Sequence, residues 1–421
     1  MKRSAIEIKE MVKKKLETSN VILWGYQDAA IGFYQEYKDC FHITACVTEQ
    51  KQHPSFLDVD EKIPIIEWVE YQGGQDDYVV VCASPFHLIE NQILASGMRI
   101  FEEYIDRNLV NAILSDKKIA IIAGACQVAV VCDFLKEVKC FTDEYQCFRF
   151  SSPHWASRWS LKSLGYLKNF CDLYICMKHE EDDIKFFSPE ELPATCKIIT
   201  IPYALSRLYW PQMKSGWKNS LNEYFLHKKN PVVHGPFEYG DVNINRMIRE
   251  GKTADEIVEE LTSENFYSEE QVQMHIDMVL RVLEYAEEGC DIRISQYVRE
   301  NYRKKMLYRD MGHTSHSIVW EEIRQILDIL QIKMSEEEQA QVKENKVIIP
   351  IYERHCTEVP VYPSVARRLG LEWWQEDMQY DVTFYNGVKS MTFEEYIRAY
   401  YSVCGKYKEL KELGALNERS G

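Results

Sequence analysis

Cys126 occupies the sequence context that most strongly suggests chemistry. It follows an apolar run at 119–123 and the small residues Gly124 and Ala125, and Gln127 comes directly after it. A strand, a tight turn and a helix in this order place a cysteine at a helix N-terminus. There the helix dipole and the first N–H groups favour a thiolate and can hold an oxyanion. A small buried structural cysteine is the alternative that this pattern leaves open.

A second candidate is His313, in the segment Met311-Gly312-His313-Thr314-Ser315-His316 that precedes a predicted helix at 317–330. The preceding stretch is basic and contains Arg303, Lys304, Lys305 and Arg309. These cations predict either a cradle for a phosphate-rich ligand or a solvated helix face. His313 and His316 are spaced i, i+3, but no acidic or thiol partner is placed to complete a metal site, so we expect none.

The first third of the chain predicts a small Rossmann-like α/β domain at 1–115. Short apolar, β-branched runs at 21–25, 42–47 and 78–82 alternate with helical patterns at 5–17 and 29–37, which is typical of a parallel sheet covered on both faces. Its glycine loop, Gly25-Tyr26-Gln27-Asp28, has one glycine where the dinucleotide fingerprint has three. Because Asp28 adds a carboxylate at the phosphate position, we expect packing or weak sugar or nucleotide recognition here rather than NAD binding.

A second α/β start at 119–138 opens a domain that we predict at 116–405, followed by a charged tail at 406–421. Past residue 150 we expect a largely helical chain. Capping boxes are predicted at Thr253 and Ser268, because each hydroxyl is followed three residues later by Glu or Gln.

Composition limits the function classes. The 421 residues include 50 Lys and Arg against 66 Asp and Glu, a net charge of −16, which argues against a nucleic-acid-binding protein. Thirteen cysteines without a C-x-x-C pair argue against a zinc ribbon or a disulfide scaffold. With no apolar run long enough for a bilayer, we expect a reduced, cytoplasmic protein. A homo-oligomer is left open.

These motifs together resemble the WcbI-type family of polysaccharide-biosynthesis acetyltransferases, over roughly residues 116–400. That family shows Gly-Asn-Cys-Gln near its start, where this chain has Gly124-Ala125-Cys126-Gln127. It later has an Asn-His-Pro segment before a helix, where this chain has Gly312-His313-Thr314, and a segment like the one at 361–366.

The resemblance implies an α+β acyltransferase domain that uses coenzyme A or acetyl-CoA to acylate a sugar hydroxyl in capsule or other bacterial surface polysaccharide biosynthesis. Cys126 is implied as nucleophile or thioester neighbour, Gln127 as oxyanion partner and His313 as general base. Gly124 and the four cations are then expected to bind the cofactor.

Two other functions remain open from the residues. One is an NAD(P)- or nucleotide-sugar-dependent enzyme that uses the N-terminal domain. The other is a non-catalytic protein that binds a glycan or a nucleotide, which the replacements at Ala125 and Gly312 would favour.

Overall fold

The structure is a computed structural model that describes residues 4–83, 86–151, 161–178, 187–213, 237, 239–343, 358–384 and 387–405. The chain divides into two compact units. The first comprises Met1–Cys132 and Lys139–Ile199, and the second comprises Asp133–Val138 and Thr200–Gly421. The predicted tail at 406–421 lies outside the described residues.

A five-stranded parallel sheet in the first unit confirms the predicted α/β architecture. Its order is β3-β2-β1-β4-β5, which is the order of the first five strands of the doubly wound dinucleotide-binding fold. The strands are almost wholly buried, because helices and connecting segments cover both faces. They are β1 (Asn20–Trp24), β2 (Ile43–Thr48), β3 (Ile65–Glu67), β4 (Asp77–Val81) and β5 (Tyr104–Asp106).

The helical patterns predicted at 5–17 and 29–37 correspond to the first two helices of this part. Ser4 caps the first helix through a complete capping box, and Asp106 caps the fourth by accepting from the Asn108 N–H. The helices are α1 (Ala5–Thr18), α2 (Asp28–Tyr37), α3 (Phe86–Ala95) and α4 (Arg107–Leu114).

A second, four-stranded sheet has the order β7-β6-β8-β9. Its strands are β6 (Lys118–Gly124), β7 (Tyr145–Ser151), β8 (Cys171–Met177) and β9 (Lys197–Ile201), with α5 (Cys126–Glu137), α6 (Lys139–Thr142) and α7 (Leu161–Asn169) between them. Strand β6 pairs in parallel with β7 on one side and with β8 on the other. The strand order therefore reverses beside β6, and open α/β sheets bind ligands at the carboxyl ends of the strands at such a point.

The expectation of a largely helical chain past residue 150 was wrong for the segment that contains β8 and β9. The parallel strand Cys171–Met177 is buried at five of its seven positions, and periodicity alone does not separate such a mostly apolar run from a buried helix. The predicted boundary at 115/116 falls between the two sheets, whereas the described residues of both sheets down to Ile199 belong to the first compact unit. The division into 1–115 and 116–405 stays a prediction about functional modules.

Helices dominate the second unit. Thr253 and Ser268 form the predicted capping boxes with Glu256 and Gln271. The helices are α8 (Val242–Glu250), α9 (Ala254–Leu261), α10 (Glu269–Ala286), α11 (Ser295–Asn301), α12 (His316–Leu330), α13 (Glu336–Lys343), α14 (Pro363–Leu369) and α15 (Phe393–Cys404). An antiparallel hairpin of β10 (Tyr380–Phe384) and β11 (Gly387–Met391) precedes the last of them.

A buried polar network ties three of these helices together. Asp241 caps α8 by accepting from the N–H groups of Asn243 and Ile244, and its other oxygen accepts from the Tyr362 hydroxyl at 2.7 Å. The Tyr400 hydroxyl accepts from the Asp241 N–H and donates to Asn245. Burial raises the pKa of Asp241 to about 6.

The described residues contain no membrane-spanning helix and no metal-binding cluster. None of their helices combines the length and apolarity that crossing a bilayer needs. Their His, Cys, Asp and Glu side chains form no group of three or more that could hold a metal ion.

Gly124 is the residue on which the second sheet places the tightest steric demand. Its φ is +155°, and a Cβ there would lie 2.7 Å from both Met177 Cβ and Val128 Cγ2. We therefore expect Gly124→Ala to lower the free energy of unfolding by about 1–3 kcal/mol, the usual cost of overpacking, measured by denaturant unfolding.

The matched control is Gly32→Ala in α2, where a Cβ meets nothing within 4 Å. Replacing that exposed helical glycine should raise stability by about 0.5–1 kcal/mol. Equal stability of Gly124→Ala and the wild type would contradict the packing argument.

Candidate active site

His313 lies on a tight turn that several backbone hydrogen bonds fix in place. The Ser315 N–H donates to the Leu307 carbonyl at 2.7 Å, and the Arg309 N–H donates to the His313 carbonyl at 3.0 Å. From outside the turn, Ser206 donates to the Met311 carbonyl and Val359 to the Arg309 carbonyl. The position of His313 is therefore set before any ligand binds, as a catalytic side chain requires.

The Asp310 carboxylate holds the imidazole of His313. Its two oxygens lie 2.9 and 2.8 Å from His313 Nδ1, and Oδ1 also accepts from the N–H groups of Gly312 and His313 at 2.7 and 2.9 Å. The Asp310 side chain is 3% exposed and that of His313 is 26% exposed. A buried carboxylate at Nδ1 selects the tautomer in which Nε2 is the basic nitrogen.

Helix α12 begins directly after this turn, with Ser315 as its N-cap residue. Near its start, the His316 ring packs edge-on against the Phe134 ring, with centroids 5.3 Å apart. The Trp320 ring also packs edge-on against Phe134, with centroids 5.4 Å apart. Phe134 belongs to the last turns of α5, which are counted with the second unit. His316 thus has an aromatic packing role.

The other predicted catalytic residues lie at the start of α5, at the carboxyl end of β6. Cys126 is the first residue of the helix, as the sequence predicted, although its side chain is not among those described. Gln127 is buried, at 6% exposure. Gly124 serves the close approach of β6, β8 and α5, so its structural role is packing.

The four predicted phosphate-binding cations have different surroundings in the second unit. Arg303 and Lys304 are exposed. The Arg303 guanidinium lies 5.3 Å from the Tyr302 ring centre, and Lys305 Nζ lies 5.1 Å from that of Tyr297. Arg309 forms an ion pair with Glu358 at 3.1 Å, and both side chains are 19% exposed. The charge of Arg309 is therefore balanced within the protein.

Comparison with known proteins decides the family. A family model described as polysaccharide biosynthesis enzyme WcbI matches residues 119–335, which is about half of the chain. This chain belongs to the WcbI family.

A solved structure of a WcbI, described as a novel polysaccharide biosynthesis enzyme, shares the fold with a TM-score of 0.51. The identity is 14%, and the alignment covers 72% of this chain and 96% of that one. That protein is described in its native form without a disulfide bond between coenzyme A and one of its cysteines. Among curated proteins, none matches the sequence significantly.

The structure gives a physical reason for one departure from the WcbI family pattern. Where the family motif has asparagine, this chain has Gly312, and a Cβ at that position would lie 2.7 Å from the Tyr239 hydroxyl oxygen. The tyrosine hydroxyl occupies the space into which a side chain at 312 would extend. Glycine at 312 and tyrosine at 239 are therefore a matched pair.

Sequence reasoning missed Asp310 and Tyr239. Asp310 carried a usable signal, because an aspartate three residues before a histidine with a glycine between them is typical of a turn in which the carboxylate accepts local N–H groups. Tyr239 carried none, since 73 residues separate it from Gly312 and the fold alone brings them together.

Glu322, on α12, is a buried carboxyl that the sequence analysis also did not single out. It is 4% exposed, and desolvation raises its pKa from 4.5 to about 8. The folded protein therefore keeps this proton at pH values at which the unfolded chain has lost it, so stability falls as pH rises from about 4.5 to about 8.

We expect Glu322→Gln to remove this dependence. The melting temperature of the variant minus that of the wild type should increase with pH and level off above about pH 8. At that plateau the free energy of unfolding of the variant should exceed that of the wild type by on the order of a few kcal/mol, since one pKa unit corresponds to about 1.4 kcal/mol. Thermal unfolding between pH 5 and 9 measures it.

The exposed Glu337→Gln, on α13, is the control and should leave the pH profile of stability unchanged. If the stability of Glu322→Gln changed with pH in parallel with that of the wild type, the Glu322 carboxyl would already be ionised in the folded protein at low pH.

Proposed function

We propose that this protein is a coenzyme A-dependent O-acyltransferase, with acetyl as the expected acyl group, that modifies a sugar hydroxyl during capsule or other surface polysaccharide biosynthesis. The observation that carries the proposal is the histidine held at Nδ1 by a buried carboxylate, an arrangement suited to taking a proton from a hydroxyl. WcbI family membership supports the glycan context, and the WcbI structure described with coenzyme A supports the donor. We assign the reaction to the cytoplasm and to the segment at 116–405.

The exposed cations fit the donor. Coenzyme A carries anionic phosphates, and the guanidinium of Arg303 and the ammonium of Lys304 supply charge-assisted donors for them. We assign the phosphate contacts to these two residues and to Lys305, because Arg309 already forms an ion pair with Glu358. When bound, an acyl-CoA supplies the activated acyl group as a thioester.

His313 performs the proton transfer in this proposal. Nδ1 donates to Asp310, and Nε2 takes the proton of the sugar hydroxyl as its oxygen bonds to the acyl carbon. The C–S bond of the thioester then breaks, and the protonated His313 gives its proton to the departing thiolate of coenzyme A. Asp310 keeps the ring in this orientation and stabilises the imidazolium that forms. Because the Asp310 side chain is only 3% exposed, the attraction between its carboxylate and the imidazolium is stronger than in an ion pair at the surface.

Cys126 and Gln127 remain our proposal for the groups that stabilise negative charge on the acyl oxygen. The N-terminus of α5 presents backbone N–H groups and the positive end of the helix dipole, and Ala125 has no side-chain acceptor to cap them. We favour direct transfer over an acyl-cysteine, because exchanging one thioester for another provides no energetic gain.

The donor-binding prediction concerns Arg303 and Lys304. The double variant Arg303→Ala/Lys304→Ala should weaken coenzyme A binding by about 1–3 kcal/mol, the loss expected for charge-assisted phosphate contacts. Titration calorimetry with coenzyme A and acetyl-CoA measures it.

Lys333→Ala/Lys389→Ala is the matched control, since it removes two positive charges from exposed positions of the same unit. Unchanged affinity in the folded Arg303/Lys304 variant would remove these residues from the site. A wild-type protein that binds no coenzyme A would overturn the proposed function.

The catalytic prediction concerns His313 and its partner. His313→Ala and Asp310→Asn should each reduce acyl transfer by about 10²–10⁴-fold, the range for removing a general base or its orienting carboxylate. His313→Ala should stay folded with a lowered melting temperature, because the buried Asp310 carboxylate loses one of its donors. Transfer is followed as thiol release from acetyl-CoA, with mass spectrometry to detect the acetyl ester on a sugar.

Cys126→Ala distinguishes the routes. Loss of activity together with rapid iodoacetamide labelling of Cys126, and little further loss in Cys126→Ala/His313→Ala, would support an acyl-cysteine, because residues that act as a unit are not additive. An active Cys126→Ala beside an inactive His313→Ala is the result we expect for direct transfer. His42→Ala and Cys40→Ala, at exposed positions, are the controls, and full activity of His313→Ala would reject the mechanism.

A further inference from the structure

The first unit contains a cavity that the proposed reaction does not use. Its volume is about 670 Å³, within the range of small-ligand sites. It lies between the segment that follows β3 and the start of β4, with the last turn of α1 and the segment before β5 on its other sides.

Two aromatic rings form one wall of this cavity. Trp68 packs on the buried Trp24 with ring centroids 4.0 Å apart and the ring planes tilted by 39°. Tyr71 stacks with Trp68 at 5.5 Å, with the ring planes 29° apart. Both Trp68 and Tyr71 are half-buried and line the cavity. The π face of an aromatic ring is electron-rich, so it attracts the weakly positive C–H bonds on the face of a pyranose ring.

A fixed loop brings amide groups to the same cavity. Asp77 accepts from the Tyr71 hydroxyl and from the Gly74 N–H, each at 2.6 Å, and from the Asn20 amide at 3.2 Å. These bonds hold both the Tyr71 ring and the loop at 72–75. Gln72 and Gln75 line the cavity and are exposed, and a carboxamide can both donate to and accept from neighbouring hydroxyls.

The charge of the lining argues against a phosphorylated ligand. The lining holds two basic residues, Lys15 and Arg99, and three acidic ones, Asp77, Glu102 and Glu103. Arg99 is itself paired with Glu102 at 2.6 Å and with Glu103 at 3.5 Å. A phosphate here would meet a net negative surface, whereas an uncharged polyol would not.

We propose that this cavity binds an uncharged sugar ring of a glycan, stacked on Trp68 and Tyr71 and hydrogen-bonded by Gln72 and Gln75. The inference stands on the cavity alone and does not depend on acyl transfer. It gives the first unit a glycan-holding role in place of the dinucleotide-binding role that its strand order suggests.

Saturation-transfer NMR on the full chain tests it, with methyl β-glucopyranoside, methyl β-galactopyranoside and N-acetylglucosamine as neutral probes and UMP as the phosphorylated one. At least one neutral sugar should receive saturation at its ring C–H protons. Trp68→Ala and Gln72→Ala/Gln75→Ala should each lower the binding affinity for that sugar by about tenfold, which corresponds to about 1.4 kcal/mol. Val69→Ala is the control, since Val69 is 85% exposed and does not line the cavity.

Trp68→Ala could lose binding simply because it unfolds, since Trp68 also packs on the buried Trp24. The glutamine variant avoids this problem because Gln72 and Gln75 are exposed. Saturation of none of the three neutral sugars, equal binding by the glutamine variant, or binding of UMP in their place would overturn the proposal. Coenzyme A affinity measured on the same variants should be unchanged, which separates this result from the fate of the proposed transferase activity.

Discussion

The buried carboxylate of Asp310 is the constraint around which the candidate active site is organised. A carboxylate removed from water costs several kcal/mol unless donors satisfy it. Here the donors are two consecutive backbone N–H groups and an imidazole nitrogen. The backbone must therefore turn tightly at Gly312, and that turn fixes the direction of the His313 ring. One electrostatic requirement thus sets both the local fold and the tautomer of the proposed base.

The surrounding elements reinforce this arrangement. The turn is held by backbone hydrogen bonds to Ser206 and Val359, residues far from it in the chain, and α12 continues directly from it. Further into the same unit, Asp241 repeats the principle, since one buried carboxylate caps α8 and accepts from Tyr362 at the start of α14. In both cases the donors to the buried carboxyl are local backbone groups together with a single hydroxyl or imidazole group.

Much of the fold could be predicted from the sequence, because its signals are local. The strands at 20–24, 43–48, 77–81 and 118–124 are short runs rich in β-branched residues, which the sequence predicts. The capping boxes at Thr253 and Ser268 are fixed three-residue spacings that occur as expected. The strands at 171–177 and 197–201 were missed because each is a short, mostly apolar run without a regular polar–apolar alternation in its sequence. In the site, the family motif identified His313, but its partners follow from a turn whose conformation depends on Gly312 and on the distant Tyr239. Local patterns carry no information about such a contact.

The two departures from the family motif have a common physical consequence. At position 312 the side chain is absent and a hydroxyl from Tyr239 fills its space, so a polar group remains beside the Asp310–His313 turn although it comes from another element. At position 125 alanine replaces the asparagine of the family motif. If that asparagine holds an oxyanion in the family, its loss is worth about 10²–10³ in rate. A helix N-terminus supplies backbone N–H groups that no substitution at 125 can remove, and a cap residue without an acceptor does not compete for them. In the reaction that we propose, charge stabilisation depends on the position of the α5 backbone, which the close packing of Gly124 against β8 fixes.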